Sequence, residues 1–165
     1  MPAIKDLLFA DLDIELDATR RTLERFPDDK ADWRPHAKSR TLQQLAHHVA
    51  ELPGLATAIL TTDSFDVRAP RADRPTPTTS GELLALFEQS ASAFRNAAAD
   101  ISDQALTESW SLKAGGHVVM AAPRAVMVRR MGLTHLAHHR AQLGVYYRLL
   151  DLPVPGLFGP SADER

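Results

Sequence analysis

Hydrophobic residues recur along much of this chain at three- and four-residue intervals, a spacing typical of amphipathic helices. The segments with this pattern cover residues 3–26, 41–59, 79–101 and 123–150. Strict alternation of apolar and polar residues, which marks half-buried strands, is scarce. The pattern therefore predicts an all-α protein, a four-helix bundle with one long crossover connection.

Polar residues at the start of two segments predict where the helices begin. Thr41 with Gln44, and Thr79 with Glu82, have the spacing of a capping box, in which side-chain and backbone groups at a helix start satisfy one another. Pro53 interrupts the second segment and predicts a kink or a break, because proline has no amide hydrogen to donate. The apolar face of that helix comprises Leu42, Leu45, Val49, Leu52, Ala56 and Ile59.

The connections between the helical segments differ in character. Residues 61–78 are rich in Thr, Asp, Arg and Pro, and they are long enough to cross one end of a bundle. Residues 102–122 are expected to be irregular, apart from a short strand at 118–120. Pro123 suits the first turn of the last and longest helix.

Composition limits the class of protein. The chain has 165 residues, 44% of them hydrophobic, so residues 1–165 are expected to form a single domain. With 19 basic and 21 acidic residues, the net charge of −2 argues against a nucleic-acid partner. Residues 111–150 hold six basic residues and no acidic one. Pairing with the acidic first helix, or a solvated face, is favoured over an anion-binding surface.

No part of the sequence resembles a membrane or targeting segment. No stretch approaches the roughly 18 apolar residues that span a bilayer. Acidic residues also interrupt the N-terminal segment before a signal-peptide core could form. A cytoplasmic protein with no membrane partner is therefore expected.

The absence of cysteine leaves histidine and carboxylate as the available metal ligands, and the chain has 7 histidines. His135 and His139 are four residues apart, so they lie one turn apart on one helix face, where two imidazoles can bind one ion. The glutamate of an HExxH metalloprotease helix is missing. On a helical wheel both histidines fall within the apolar stripe, so they are expected to point into the bundle.

The same wheel separates the neighbouring histidines of the second helix. His48 lies on the flank that carries Leu52 and Ile59, whereas His47 points to nearly the opposite side, toward solvent. Three inward histidines on two helices could converge in the bundle. From the residues alone, two interpretations stay open, a metal site and a cluster of hydrogen-bonded core histidines.

Two motifs carry a resemblance to a known family. Residues 41–53 resemble the second-helix motif of the DinB/YfiT-like metalloenzyme family, and residues 135–146 resemble its HxxxHRxQ motif. Residues 154–164 are similar to the tail of one subgroup. The resemblance covers essentially the whole chain. Ala141 stands where glycine is frequent and Leu55 where an aromatic is common, but neither position is a ligand.

This resemblance implies a helix bundle that holds a divalent ion through three histidines, with a homodimer as the expected assembly. The family's ligands fall on His48, His135 and His139. Zinc and nickel are the favoured ions, with manganese and iron(II) as alternatives. Relatives include thiol-dependent S-transferases and a thiol-dependent isomerase, which implies a small-molecule substrate and a low-molecular-weight thiol as cosubstrate.

Three neutral imidazoles leave the ion's charge uncompensated and a coordination position open, so bound water or thiol would be more acidic. A thiol-dependent S-transferase or a hydrolase is therefore the leading hypothesis, with no catalytic residue identified. The alternative is a non-catalytic metal-binding stress-response bundle, in which His138 or Glu51 supplies a fourth ligand. A plain helical oligomerisation module, without metal, is the third interpretation.

Several further residues have two interpretations each. Gln142, one turn beyond His139, either orients a ligand or water, or has a packing or capping role. Glu51, one turn from His48, is favoured as a surface acid over a group behind the ligands. Trp33 and Trp110 are expected in loops, and filling the core is favoured over lining a pocket.

Overall fold

The computed structural model describes residues 2–70 and 76–164, so residues 71–75 of the predicted long connection, with Pro75, lie outside the described residues. The helices are α1 (Ile4–Leu8), α2 (Leu12–Leu23), α3 (Leu42–Thr61), α4 (Ser80–Asp100), α5 (Asp103–Thr107), α6 (Arg124–Met127) and α7 (His135–Leu149). A π-helical segment, Val128–Thr134, joins α6 to α7. The strands are β1 (Ser64–Asp66), β2 (Ser109–Ala114) and β3 (His117–Pro123), and short 3₁₀ turns cover Asp28–Lys30 and Ala162–Glu164.

The four long helices form the predicted bundle. Helix α3 packs against α4 and α7, and α2 packs mainly against the same two helices, so α2 and α3 occupy opposite corners. The largest fully buried side chains are Trp110, Tyr147, Phe87 and Phe94, which lie in one hydrophobic core. None of the helices in the described part of the chain has the length and apolarity that crossing a membrane requires.

A small sheet beside the bundle makes the all-α prediction approximate. Strand β2 pairs in parallel with β1 and antiparallel with β3. The prediction that residues 102–122 are irregular is wrong, although the strand expected at 118–120 lies within β3. Gly115 and Gly116 form the hairpin turn with φ of 62° and 81°, a conformation that glycine adopts without steric cost.

The capping predictions for α3 and α4 are confirmed, since both capping boxes have their side-chain and backbone hydrogen bonds. The predicted apolar face of α3 is buried throughout. Of the kink or break expected at Pro53, the break is wrong, because α3 continues through Pro53 to Thr61. One missing backbone hydrogen bond costs less than exposing the apolar residues that pack on both sides of Pro53.

The first predicted helix is divided by a turn at residues 9–11. A tertiary contact explains the division, because the Asp103 carboxylate accepts hydrogen bonds from the backbone amides of Ile4 at 2.8 Å and Lys5 at 3.0 Å. These two amides have no partner within α1. The carboxylate therefore caps α1 and holds it on α5.

The last helix runs without interruption from Arg124 to Leu149 through the π-helical segment. Gly132, within that segment, is buried against α3, and a Cβ atom added there would lie 3.0 Å from the Ala56 Cβ. The absence of a side chain at Gly132 therefore allows the two backbones to approach closely. This approach brings the start of α7 beside the middle of α3.

A buried ion pair fixes α7 to α2. Arg140 is 3% exposed and its guanidinium lies 2.8 Å from the Glu15 carboxylate, which is 20% exposed. The same guanidinium donates to the Glu15 carbonyl at 2.9 Å and to the Thr19 hydroxyl at 3.3 Å. The pairing of this basic residue with the acidic first segment agrees with the interpretation favoured from the sequence. The ion pair therefore fixes the position of the neighbouring residue His139.

Substitution Arg140→Met is expected to lower the free energy of unfolding by roughly 2–4 kcal/mol, because it leaves the mostly buried Glu15 carboxylate without its counter-charge. Urea unfolding measures the difference. The exposed pair between Arg148 and Asp163 provides the matched control, and Arg148→Met should change stability by less than about 1 kcal/mol. The double variant Glu15→Gln/Arg140→Met should recover most of the loss. Equal effects of the two single variants would show that the Arg140 pair is not a structural anchor.

Candidate metal centre

Three imidazole rings meet where α3 faces α7. The Nε2 atom of His135 lies 3.4 Å from Nε2 of His48 and 2.9 Å from Nε2 of His139. The nearest ligand atoms of all three residues lie within 4.8 Å of one another. The sequence singled out these three histidines on two helices, and the structure brings them together.

The donor set and its spacing fit a divalent ion. Two nitrogens bound to one zinc ion at about 2.1 Å lie roughly 3.0–3.4 Å apart at ordinary coordination angles. The two Nε2 distances fall close to this range. Each Nε2 atom can donate or accept but not both, so the three clustered nitrogens cannot all satisfy one another by hydrogen bonds. The cluster could therefore hold a metal ion.

The winding of the last helix determines which of its residues face the core. The residues of the last helix that reach the core are Met127, Val128, Gly132, Leu136, Arg140, Leu143 and Tyr147. His135 and His139 flank this buried face and are half-buried, rather than lying within it as the wheel predicted. A wheel with a constant turn per residue loses its phase across the π-helical segment, because that segment winds differently. The site is consequently at the edge of the core.

Burial keeps the three rings neutral. Desolvation is the largest cause that lowers the pKa of His48, to about 3, and it also lowers the pKa values of His135 and His139. The Arg40 guanidinium further lowers the pKa of each ring. The Met131 carbonyl favours the protonated form of His135 and opposes part of this effect. Neutral imidazole is the form that binds metal ions.

Gln142 determines which nitrogen of His139 faces the cluster. Its side-chain oxygen lies 2.7 Å from Nδ1 of His139. A carbonyl oxygen can only accept, so Nδ1 carries the proton and the Nε2 lone pair is directed toward His135. The orienting role that the sequence left open for Gln142 is thus the one that the geometry supports, and it is typical of residues behind a metal ligand.

Three other candidate residues stay outside the cluster. His47 lies 3.6 Å from the Glu51 carboxylate on another face of α3, and its side chain is 26% exposed rather than directed fully to solvent. The ring of His138 packs on that of His139, with centroids 4.8 Å apart, but His138 is exposed. Among the described residues, neither His138 nor Glu51 joins the ligand group as a fourth member. The described residues therefore supply three ligands and no fourth.

The two tryptophans have different positions. Trp110 lies in β2 and is fully buried, so the core-filling interpretation is confirmed for this residue. Trp33 is half-buried and packs edge-on against Tyr146, with ring centroids 5.6 Å apart. The Tyr146 hydroxyl donates to the Arg40 carbonyl at 3.2 Å. The sequence analysis did not predict this contact between Arg40 and Tyr146, because the two residues are far apart in the chain.

Comparisons with known proteins agree with the resemblance carried by the two motifs. Residues 11–143 match the DinB superfamily. The uncharacterised protein YrdA of Bacillus subtilis (strain 168) is 28% identical over 153 residues, which cover 92% of this chain and 86% of YrdA. A crystal structure of a DinB-like protein from Bacillus cereus ATCC 10987 is similar with a TM-score of 0.70 at 20% identity, covering 92% of this chain and 95% of that one.

A second solved structure, described as a member of the DinB family from Exiguobacterium sibiricum 255-15, has a TM-score of 0.63 at 19% identity. The match covers 92% of this chain and 94% of that chain. At these identities the two structures establish the shared fold.

The lowered pKa values predict how the stability of the metal-free protein depends on pH. Below about pH 6.5 the unfolded chain takes up protons at histidines that stay neutral in the fold, so the stability present above that pH is lost as pH falls toward 3. Urea unfolding between pH 7.5 and 4.5 should show a shallower loss for His48→Gln than for the unchanged protein. Substitution His47→Gln, outside the cluster, is the control. If the free energy of unfolding falls with pH equally steeply in His48→Gln and in the unchanged protein, His48 is not held neutral by burial in the fold.

Proposed function

Because this chain belongs to the DinB superfamily, we propose that it is a metal-dependent enzyme whose divalent ion is held by His48, His135 and His139. The proposed chemistry is thiol-dependent S-transfer or hydrolysis on a small molecule. The observation that carries the proposal is the convergence of three Nε2 atoms at a half-buried face, without a fourth protein ligand among the described residues. A structural metal site would ordinarily be closed by a fourth protein ligand.

The donor set narrows the choice of ion. Neutral imidazole nitrogens suit zinc and nickel, with manganese and iron(II) as alternatives, and a calcium or magnesium site would be built from oxygen ligands. When bound, such an ion lowers the pKa of a coordinated thiol or water and supplies a nucleophile at neutral pH. The three histidines add no negative charge, so they leave the ion strongly electron-withdrawing.

The residues of this chain have distinct parts in the proposed reaction. The three histidines would hold the ion to which the thiol binds, Gln142 holds His139 in the required tautomer, and the buried Arg140 fixes the backbone that carries His139. In S-transfer, the thiol sulfur forms a bond to an electrophilic carbon of the substrate. The bond from that carbon to its leaving group breaks, the leaving group departs with the electron pair, and the thiol proton passes to solvent.

We also propose the substrate class, the cosubstrate and the assembly of the protein. A small molecule is favoured over nucleic acid because the net charge is −2 and three of the six basic residues between 111 and 150, Arg124, Arg140 and Arg148, are each paired with a carboxylate. The thiol must come as a cosubstrate, since the chain contains no cysteine. A homodimer is proposed from the family resemblance alone.

Metal content tests the ligand assignment. Elemental analysis of protein purified without a histidine tag is expected to give close to one divalent ion per chain. Both His48→Ala and His139→Ala should lose that ion while circular dichroism shows a folded bundle, because each removes one of three donors. The matched control His47→Ala should keep the ion. Retention of a stoichiometric ion by His139→Ala, or its loss from His47→Ala, would show that the wrong histidines were chosen.

Turnover tests whether a bound ion is catalytic. Metal-loaded protein is expected to accelerate the reaction of low-molecular-weight thiols with 1-chloro-2,4-dinitrobenzene, or the hydrolysis of p-nitrophenyl esters, both followed by absorbance. The His139→Ala variant should return the rate to the uncatalysed background. A loaded protein that binds one ion per chain but accelerates neither reaction class would favour the non-catalytic metal-binding bundle.

A further inference from the structure

The face that carries the three histidines continues along α7 toward Arg40. His139, Gln142 and Tyr146 lie on successive turns of α7. Arg40 lies just before the N-cap of α3, two turns before His48. Because His48 contacts the start of α7 and Arg40 contacts Tyr146 later in α7, the two helices run antiparallel along this face. Arg40 is therefore on the same face as the cluster.

The backbone at Arg40 is held at a defined distance from the cluster. The Tyr146 hydroxyl donates to the Arg40 carbonyl at 3.2 Å, and Trp33 packs against the Tyr146 ring. Tyr146 is two turns from His139, and a helix rises 1.5 Å per residue, so the Arg40 backbone is about 10 Å from the cluster along the helix. An arginine side chain can cover much of that distance.

Two side chains on this face, Arg40 and Gln142, have hydrogen-bond donors without an acceptor among the described residues. The Arg40 side chain is exposed and has no carboxylate partner among the described residues. The Gln142 oxygen is taken by His139, which leaves the Gln142 amide nitrogen with no acceptor in the described part of the chain. The nearby carboxylate of Glu51 lies beside His47 on another face of α3.

The positive charge of Arg40 lies on the face that carries the cluster. Its backbone is held there by the hydrogen bond from Tyr146, and its exposed side chain is paired with no carboxylate among the described residues. A divalent ion at the cluster would add to this positive charge. Such a surface attracts an anion more strongly than a neutral molecule of the same shape.

We propose that Arg40 and the Gln142 amide form an anion-binding subsite beside the histidine cluster. The ligand is a small organic anion whose reacting atom lies at the three histidines and whose carboxylate or phosphate is bound by Arg40. This inference rests on the proposed function, because it names the class of substrate that the same site takes. Arg40 binds the anionic end and takes no part in the bond changes.

A pair of thiols that differ only in charge tests the subsite. The chain of 6-mercaptohexanoate places a carboxylate far enough from the sulfur to reach Arg40, and 6-mercaptohexan-1-ol is its neutral counterpart. Protein loaded with cobalt(II) reports thiol binding through its sulfur-to-cobalt absorption, with no turnover required. At low ionic strength the carboxylate thiol is expected to bind about tenfold tighter, and the preference should weaken in high salt.

Variants assign the preference to one residue. Arg40→Gln is expected to bind both thiols equally while keeping the cobalt spectrum, and Arg40→Lys should keep part of the preference. Arg34→Gln removes another exposed arginine of the same loop and should behave as the unchanged protein. An undiminished preference in Arg40→Gln, or equal binding by the unchanged protein, would overturn the subsite alone. Failure to bind cobalt would instead overturn the metal-site proposal, and the subsite with it.

Discussion

The close approach of the last helix to α3 is the constraint on which the candidate site depends. Gly132 permits that approach because a side chain there would meet Ala56. The ion pair between Arg140 and Glu15 then fixes the same helix from its other side, against α2. With both contacts in place, His135 and His139 have little freedom other than to face His48. Packing therefore supplies the positional accuracy that three ligands on two helices require.

Some of this arrangement could be predicted from the sequence, because it depends on groups close together in the chain. The two capping boxes involve residues three apart, and the apolar face of α3 follows from one helical period. The four-residue spacing of His135 and His139 places both rings on one face of any helix that contains them, independently of the tertiary structure. Gly115-Gly116 also carried a hairpin signal, and weighing it with the flanking apolar residues would have indicated β2 and β3.

Other features could not be predicted because they are set by contacts between distant segments. The turn that divides α1 from α2 follows from Asp103, and the position of Arg40 follows from Tyr146. The π-helical segment shifts the phase of the last helix, so the wheel placed the histidines in the core instead of at its flank. At Pro53 the local sequence predicts an interruption of the helix. The burial of apolar residues on both sides of Pro53 outweighs it, and α3 continues.

The position at the flank has a chemical consequence. Three histidines fully inside the core would exclude water and substrate, and an ion there could only hold helices together. At the edge, burial is sufficient to keep the rings neutral, as the lowered pKa of His48 indicates. Among the described residues no fourth protein ligand closes the cluster, and the free groups of Gln142 and Arg40 on the same face are hydrogen-bond donors. Neutral ligands with cationic and amide donors beside them suit an anion that approaches from solvent. That arrangement is a requirement of chemistry on a diffusible substrate and not of a structural ion.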